Sequence, residues 1–261
     1  MNSSLLERLE TDAPNVASKV AKVTLAFWII KIAATTLGET GGDLISMTLG
    51  LGYAASTILL LGIFLASLFL QMRAQAFHPP LYWLVILTTS TAGTTMSDFM
   101  DRSLGLGYAT GSALLAGLLV VVLFVWRSVE GNLSVAGIRR PRAELFYWAA
   151  ILVSNTLGTA LGDYLADDSG LGFGGGALLI GSAIALVALL YKFTKLSHVL
   201  LFWLAFVLTR PFGATFGDLM TKPVADGGLD LGTYGASAVL LVIMVAGIAW
   251  TMRSPAAPDA E

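Results

Sequence analysis

The sequence predicts an all-α membrane protein, with eight transmembrane helices arranged as four parallel-topology helical hairpin repeats around a polar centre. Three observations lead there: the composition, a fourfold internal repeat, and the side on which basic residues collect. Of 261 residues, 56% are hydrophobic and 12% charged, against about 25% charged in an ordinary soluble domain. The 28 glycines suit helices that approach closely in lipid. Cys is absent, which excludes disulfides and thiolate metal sites. The two histidines, His78 and His198, fall in short polar connections, so a zinc site built from several imidazoles is not expected.

The repeat decides the architecture. Aligning Trp28, Trp83, Trp148 and Trp203 brings Asp43, Asp98, Asp163 and Asp218 into register, each fifteen residues later. Five residues before each aspartate stands Gly38, Gly93, Gly158 or Gly213, and directly before it a small residue, Gly42, Ser97, Gly162 or Gly217. A glycine-and-aromatic turn follows, ending at Tyr53, Tyr108, Phe173 and, after an insertion carrying Asp226 and Asp230, Tyr234. A second apolar run of roughly 20 residues completes each copy, the length that crosses a bilayer core.

Taken in order, residues 1–18 read as a cytoplasmic tail. No cleaved signal is expected, because the first apolar run holds Lys31 and Glu39 and matches later segments. The first half, 19–127, contains repeats one and two, with spans predicted at 20–40, 54–72, 81–100 and 108–127. The aspartates are 55, 65 and 55 residues apart, and the ten extra residues fall in a cytoplasmic linker at 128–142. The second half, 143–253, contains repeats three and four, with spans at 145–165, 173–192, 198–219 and 233–252. Residues 254–261 read as a C-terminal tail. Pro211 is expected to kink or break the seventh span, and the three glycines at 174–176 to mark a local weak point.

An even number of spans per repeat gives all four copies one orientation, related by an axis along the membrane normal. Eleven Lys and Arg lie on the side of the termini, and only Arg102 and Lys222 on the side of the hairpin turns. The positive-inside rule therefore predicts cytoplasmic N- and C-termini in a multi-pass protein of a bacterial inner membrane. Nine aspartates, including the four of the repeat, gather on the opposite side. The tryptophans read as anchors at the cytoplasmic interface, and the turn aromatics as anchors at the outer one.

Over residues 20–252 this pattern resembles a family of bacterial membrane proteins built from four tandem copies of a two-span repeat of unknown function. Its copies share a tryptophan, matching Trp28, Trp83, Trp148 and Trp203. The resemblance implies the eight-helix architecture and leaves mechanism to the residues.

Stepping back from each aspartate by four keeps to one helix face. That face reads Lys31, Thr35, Glu39, Asp43 in repeat one, and Ser90, Thr94, Asp98 in repeat two. It reads Asn155, Thr159, Asp163 in repeat three, and Arg210, Ala214, Asp218 in repeat four. So polar a stripe cannot face lipid, so it must point inward and line a central path. At 1.5 Å per residue the aspartates lie ~22 Å from the tryptophans, near the outer end of the membrane core. Lys31 and Glu39 are too far apart on one helix to pair, which predicts a cross-repeat pair between Glu39 and Arg210.

The expected function is a transporter or channel for a small cation, first a divalent metal such as Mn²⁺, with proton coupling as an added expectation. Asp43, Asp98, Asp163, Asp218, Glu39, Thr94, Thr159 and Asn155 would bind the cation, the four aspartates serving as metal ligands. Lys31, Glu39, Arg210 and Pro211 would form the charge pair and gate. Carboxylates with nearby hydroxyls suit hard divalent ions, and Asp101, Asp167 and Asp168 add oxygens beside the repeat aspartates. Two alternatives compete: a transporter of a small organic or anionic solute using Arg210 and Lys31, and a structural or partner-binding membrane protein. An enzyme is not expected, and no resident cofactor is implied beyond a transported metal ion. The lipid bilayer and the small cation are the expected partners, and a nucleic acid is not.

Overall fold

Helix starts are set by residues that satisfy or dispense with free backbone amides. Thr24 Oγ1 accepts from the Phe27 amide at 3.2 Å and Ser197 Oγ from the Leu200 amide at 3.4 Å. Pro79 and Pro141 open two further helices, where an amide would find no acceptor anyway. In the computed structural model, which describes residues 19–135, 138 and 140–253, these signals delimit eight long helices and no strand among the described residues. They are α1 (Leu25–Asp43), α2 (Tyr53–Arg73), α3 (Pro79–Asp98), α4 (Tyr108–Glu130), α5 (Pro141–Asp163), α6 (Gly172–Phe193), α7 (His198–Thr221) and α8 (Gly232–Arg253). The tails expected at 1–18 and 254–261 lie outside the described residues, as do three positions of the linker.

Six of these helices are long and apolar enough to cross a membrane. The other two are α1, which carries Lys31, Glu39 and Asp43, and α3, whose second half is mostly Thr and Ser. The first helix begins at Leu25 instead of 20, because Thr24 caps it. The irregular chain between the halves is shorter than the 128–142 linker, since α4 runs to Glu130 and α5 starts at Pro141.

The odd-numbered helices form a closed inner ring. α1 packs on α3, α3 on α5, α5 on α7, and α7 returns to α1. The even-numbered helices sit outside, and here the hairpin expectation needs correction. The main inner-ring partner of each outer helix lies in the next repeat: α2 packs on α3, α4 on α5, α6 on α7, and α8 on α1. Contacts within a repeat gather near the turn. The LGLG connections use glycines at positive φ, Gly50 at 71° and Gly52 at 77° in the first copy, a region costly for side chains.

Small residues explain how the ring closes so tightly. A Cβ on Gly38 would collide with Ser90, one on Gly158 with Arg210, and ones on Gly93 and Gly213 would come within 3.0 Å of Asn155 and Thr35. The residue before the aspartate makes the second layer: Gly42 faces Thr94, Gly162 faces Ala214, and Gly217 faces Glu39. Each repeat thus presents glycine to the polar face of the next one around the ring.

Three local features take a definite place in the fold. Pro211 does not break α7, which continues from His198 to Thr221; the missing amide leaves an otherwise continuous helix. The glycines at 174–176 lie inside α6, and a Cβ on Gly176 would come 3.0 Å from Thr215. The tryptophans are not interfacial anchors: Trp83, Trp148 and Trp203 are buried and Trp28 half-buried. They stack with the preceding aromatic of a neighbouring repeat, as in Phe27–Trp83 at 5.5 Å, Tyr82–Trp148 at 5.6 Å and Phe202–Trp28 at 5.9 Å. The result is an aromatic collar at that end of the ring.

Candidate functional site, a layered polar axis

The four polar faces converge, and they fill the ring in layers. Nearest the collar, Lys31, Ile86, Ile151 and Phe206 hold the same register position twelve residues before their aspartates, and all are essentially inaccessible. Its ammonium lies 4.1 Å from the centre of the Phe206 ring and has no hydrogen-bond acceptor among the described residues. The next layer holds Thr35, Ser90, Asn155 and the stem of Arg210. Asn155 does not reach the charged groups; its Nδ2 donates to Thr89 Oγ1 at 2.7 Å.

One layer further out, Arg210 stretches across the axis. Its Nη1 donates to Glu39 Oε2 at 2.9 Å and to the Thr35 carbonyl at 3.3 Å. Nη2 donates to Thr94 Oγ1 at 2.5 Å, Thr159 Oγ1 at 2.7 Å and the Ser90 carbonyl at 3.3 Å. Both hydroxyls in turn donate to Glu39 Oε2, Thr159 at 3.0 Å and Thr94 at 3.3 Å. One ion pair therefore gathers all four inner helices, with the two threonines as relays between guanidinium and carboxylate. A charge at this depth is tolerated because it is paired and hydrogen-bonded.

The four aspartates close the end of the ring opposite the collar, each about 5% exposed or less. In repeats one to three they do not end the helix. A five-residue π-type turn continues it, at Leu44–Thr48, Phe99–Ser103 and Tyr164–Asp168, and such widened turns concentrate at functional sites. Two cations tie the aspartates in pairs. Arg102 lies 3.0 Å from Asp98 and 3.3 Å from Asp163. Lys222 lies 3.1 Å from Asp218 and 3.0 Å from Asp43. Burial alone would pull the Lys222 ammonium down, but the carboxylates of Asp218 and Asp43 outweigh it and hold it above the ordinary lysine range. The Arg102 guanidinium is held in the same way by Asp98 and Asp163.

Arg102 and Lys222 were absent from the binding set expected from sequence. The signal was present: each lies one more step of four past its aspartate, in the even repeats only, while Met47 and Asp167 stand there in the odd ones. The aspartate end of the axis thus has twofold, not fourfold, chemistry. Oxygens of Glu39, Asp163 and Asp218 lie within 4.8 Å of one another. A hard cation with oxygen ligands at about 2.3–2.6 Å bridges such a gap.

A family model described as a Repeat of Unknown Function (DUF347) matches four times in tandem, over residues 26–77, 81–132, 146–197 and 201–256. No curated protein and no solved structure matches the chain.

Proposed function

The chain belongs to the DUF347 repeat family, and we propose that it is an integral membrane transporter for a small hard cation, a divalent metal such as Mn²⁺. The observation that carries the reading is the charge arrangement of the axis. Four aspartates face two cations at the outer end, which leaves two carboxylate charges unmatched, while Glu39 is matched by Arg210. Two uncompensated charges in a buried oxygen-rich cluster fit one divalent ion, and the trio of Glu39, Asp163 and Asp218 can supply three of its ligands. Opening that trio to an ion requires Arg210 to yield Glu39, which makes the ion pair the gate. Proton coupling belongs to the same proposal.

In this reading all eight helices span the membrane. The outer helices are only 17–28% buried over their most apolar windows and present leucine and valine to lipid. α1 and α3 carry their hydroxyls and charges inward and are shielded by the ring. The excess of Lys and Arg at the collar end makes it cytoplasmic, with both termini on that side and the aspartates outward, in a bacterial inner membrane.

One observation favours a second reading. The Lys31 ammonium lacks an acceptor among the described residues, and the carboxylate of a small organic anion is the group that would supply one. Flux into proteoliposomes separates the two. With Mn²⁺, Mg²⁺ and Ca²⁺ outside and a pH-sensitive dye inside, wild-type protein should move at least one metal, and Asp163→Asn and Asp43→Asn should abolish it. Metal flux equal to wild type in both variants sinks the cation reading. Flux of organic anions alone, lost in Arg210→Gln, establishes the second.

A further inference from the structure

The two halves of the ring treat one kind of cleft differently. Between α2 and α5, residues ahead of α1 fill the cleft at the collar end. Lys19 Nζ donates to Glu144 Oε2 at 2.7 Å and to the Met72 carbonyl at 2.9 Å, while Gln71 Nε2 donates to the Lys19 carbonyl at 3.0 Å. Val20 is buried beside them in the core. Advancing every element by two repeats carries this cleft onto the one between α6 and α1.

There the residues have changed. Nineteen positions before its aspartate, repeat three has Glu144 and repeat one has Thr24. Eighteen positions after the turn aromatic, repeat one has Gln71 and repeat three has Tyr191. The acid that holds the Lys19 ammonium is thus replaced by a hydroxyl, and beside Leu133, Ser134 and Val135 of the connection between the halves the cleft keeps a groove of about 600 Å³. Its walls include Trp28, Val187, Tyr191, Val199, Phe202 and Ala205, from α1, α6 and α7.

Two features say what fits it. The walls are apolar and continue into the exposed outer surface through Leu25 and Leu200, so in a bilayer the groove opens to acyl chains. Basic residues adjoin this lining in the chain: Lys192 follows Tyr191 in the last turn of α6, Lys195 lies in the short connection, and His198, itself in the wall, stacks on Tyr191 at 4.6 Å. These side chains are exposed, and basic mouths at the ends of transmembrane helices hold anionic headgroups.

We propose that this groove is a binding site for one anionic phospholipid, with an acyl chain between α6 and α1 and the headgroup phosphate at Lys192, Lys195 and His198. The inference is independent of the cation reading, because it concerns the lipid face of the ring.

Native mass spectrometry of the full chain, extracted in mild detergent, tests it. The expected spectrum carries one retained phospholipid, phosphatidylglycerol added back outcompetes phosphatidylcholine, and Lys192→Gln with Lys195→Gln weakens that preference by roughly 30-fold. Ala205→Trp on α7 and Ala188→Trp on α6 each fill the groove from its wall, and each should remove the adduct. Thermal unfolding of delipidated wild-type protein gives a readout that needs no variant: phosphatidylglycerol should raise the midpoint more than phosphatidylcholine. Equal shifts with the two lipids, or an adduct that survives both tryptophan substitutions, would overturn the proposal.

Discussion

Arg210 and Glu39 set the energetic scale of the axis. Arg210→Gln would leave the Glu39 carboxylate buried, with only the two threonine hydroxyls and no counterion within reach. Removing one partner of a buried pair costs about 3–5 kcal/mol, because the remaining charge is uncompensated. The unfolding midpoint in detergent should therefore fall sharply in Arg210→Gln and recover largely when Glu39→Gln is added. A double variant as unstable as the single one would mean that the pair is not the unit. Lys222 makes a different prediction, read from pH. Its folded-state pKa lies above that of a free lysine, so its ion pairs contribute fully below the unfolded value of about 10.4 and fade as pH rises beyond it. The midpoint gap between wild type and Lys222→Gln should stay constant from about pH 7 to 9 and narrow only in stronger alkali. A gap already closing at pH 8 contradicts the pairing with Asp43 and Asp218. Both Glu39–Arg210 and the aspartate ring were legible in sequence, because steps of four along a helix keep one face. Arg102 and Lys222 were not, because their meaning lies in reaching the next repeat's aspartate, a relation between helices.

At the scale of the helix, the recurrent glycines carry the argument. Their recurrence is visible in the sequence, but their purpose is not, since a glycine five residues before an aspartate has no partner until the ring is built. Gly158→Ala places a methyl against the Arg210 side chain, and Gly38→Ala places one against Ser90. Each should cost about 1–3 kcal/mol, as overpacking does, and lower the unfolding midpoint. Gly117→Ala on α4 meets nothing within 4 Å and should be neutral or slightly stabilising, since alanine favours the helix. If all three variants behave alike, the close approach of the inner helices is wrong. Pro211 shows the limit of element-level reasoning in the other direction. Proline predicts a kink or break from local chemistry alone, yet α7 runs unbroken from His198 to Thr221 between its ring neighbours α5 and α1. The π-type turns after Asp43, Asp98 and Asp163 likewise had no signature that propensity could reveal.

For the whole molecule, the sequence supports four copies and a common orientation, and it suggests hairpins as units. The ring replaces that picture: each outer helix buttresses the following repeat, and α8 closes the circle on α1. Adjacency in sequence favours the hairpin reading, whereas the glycine seams bring each inner helix against its ring neighbours and its outer partner comes from the preceding repeat. The absence of cysteine makes the arrangement directly testable. Ser67 on α2 and Thr88 on α3 have hydroxyls 3.0 Å apart, and Thr40 on α1 and Ser237 on α8 have hydroxyls 2.8 Å apart. Cysteine sulfurs in place of these hydroxyls would start close enough for a small adjustment to reach the S–S bond of about 2.05 Å. Ser67→Cys with Thr88→Cys, and Thr40→Cys with Ser237→Cys, should each cross-link within one chain on mild oxidation, detected as a linked peptide by mass spectrometry. The second pair is the more demanding, because its residues are 197 positions apart and come from opposite ends of the chain. Formation of the first link without the second would leave an open arc of repeats. The central charges would then lose the enclosure that makes Glu39 and Arg210 tolerable in a membrane. If both links form, the first and last helices share one wall, and the axis is sealed from lipid on every side.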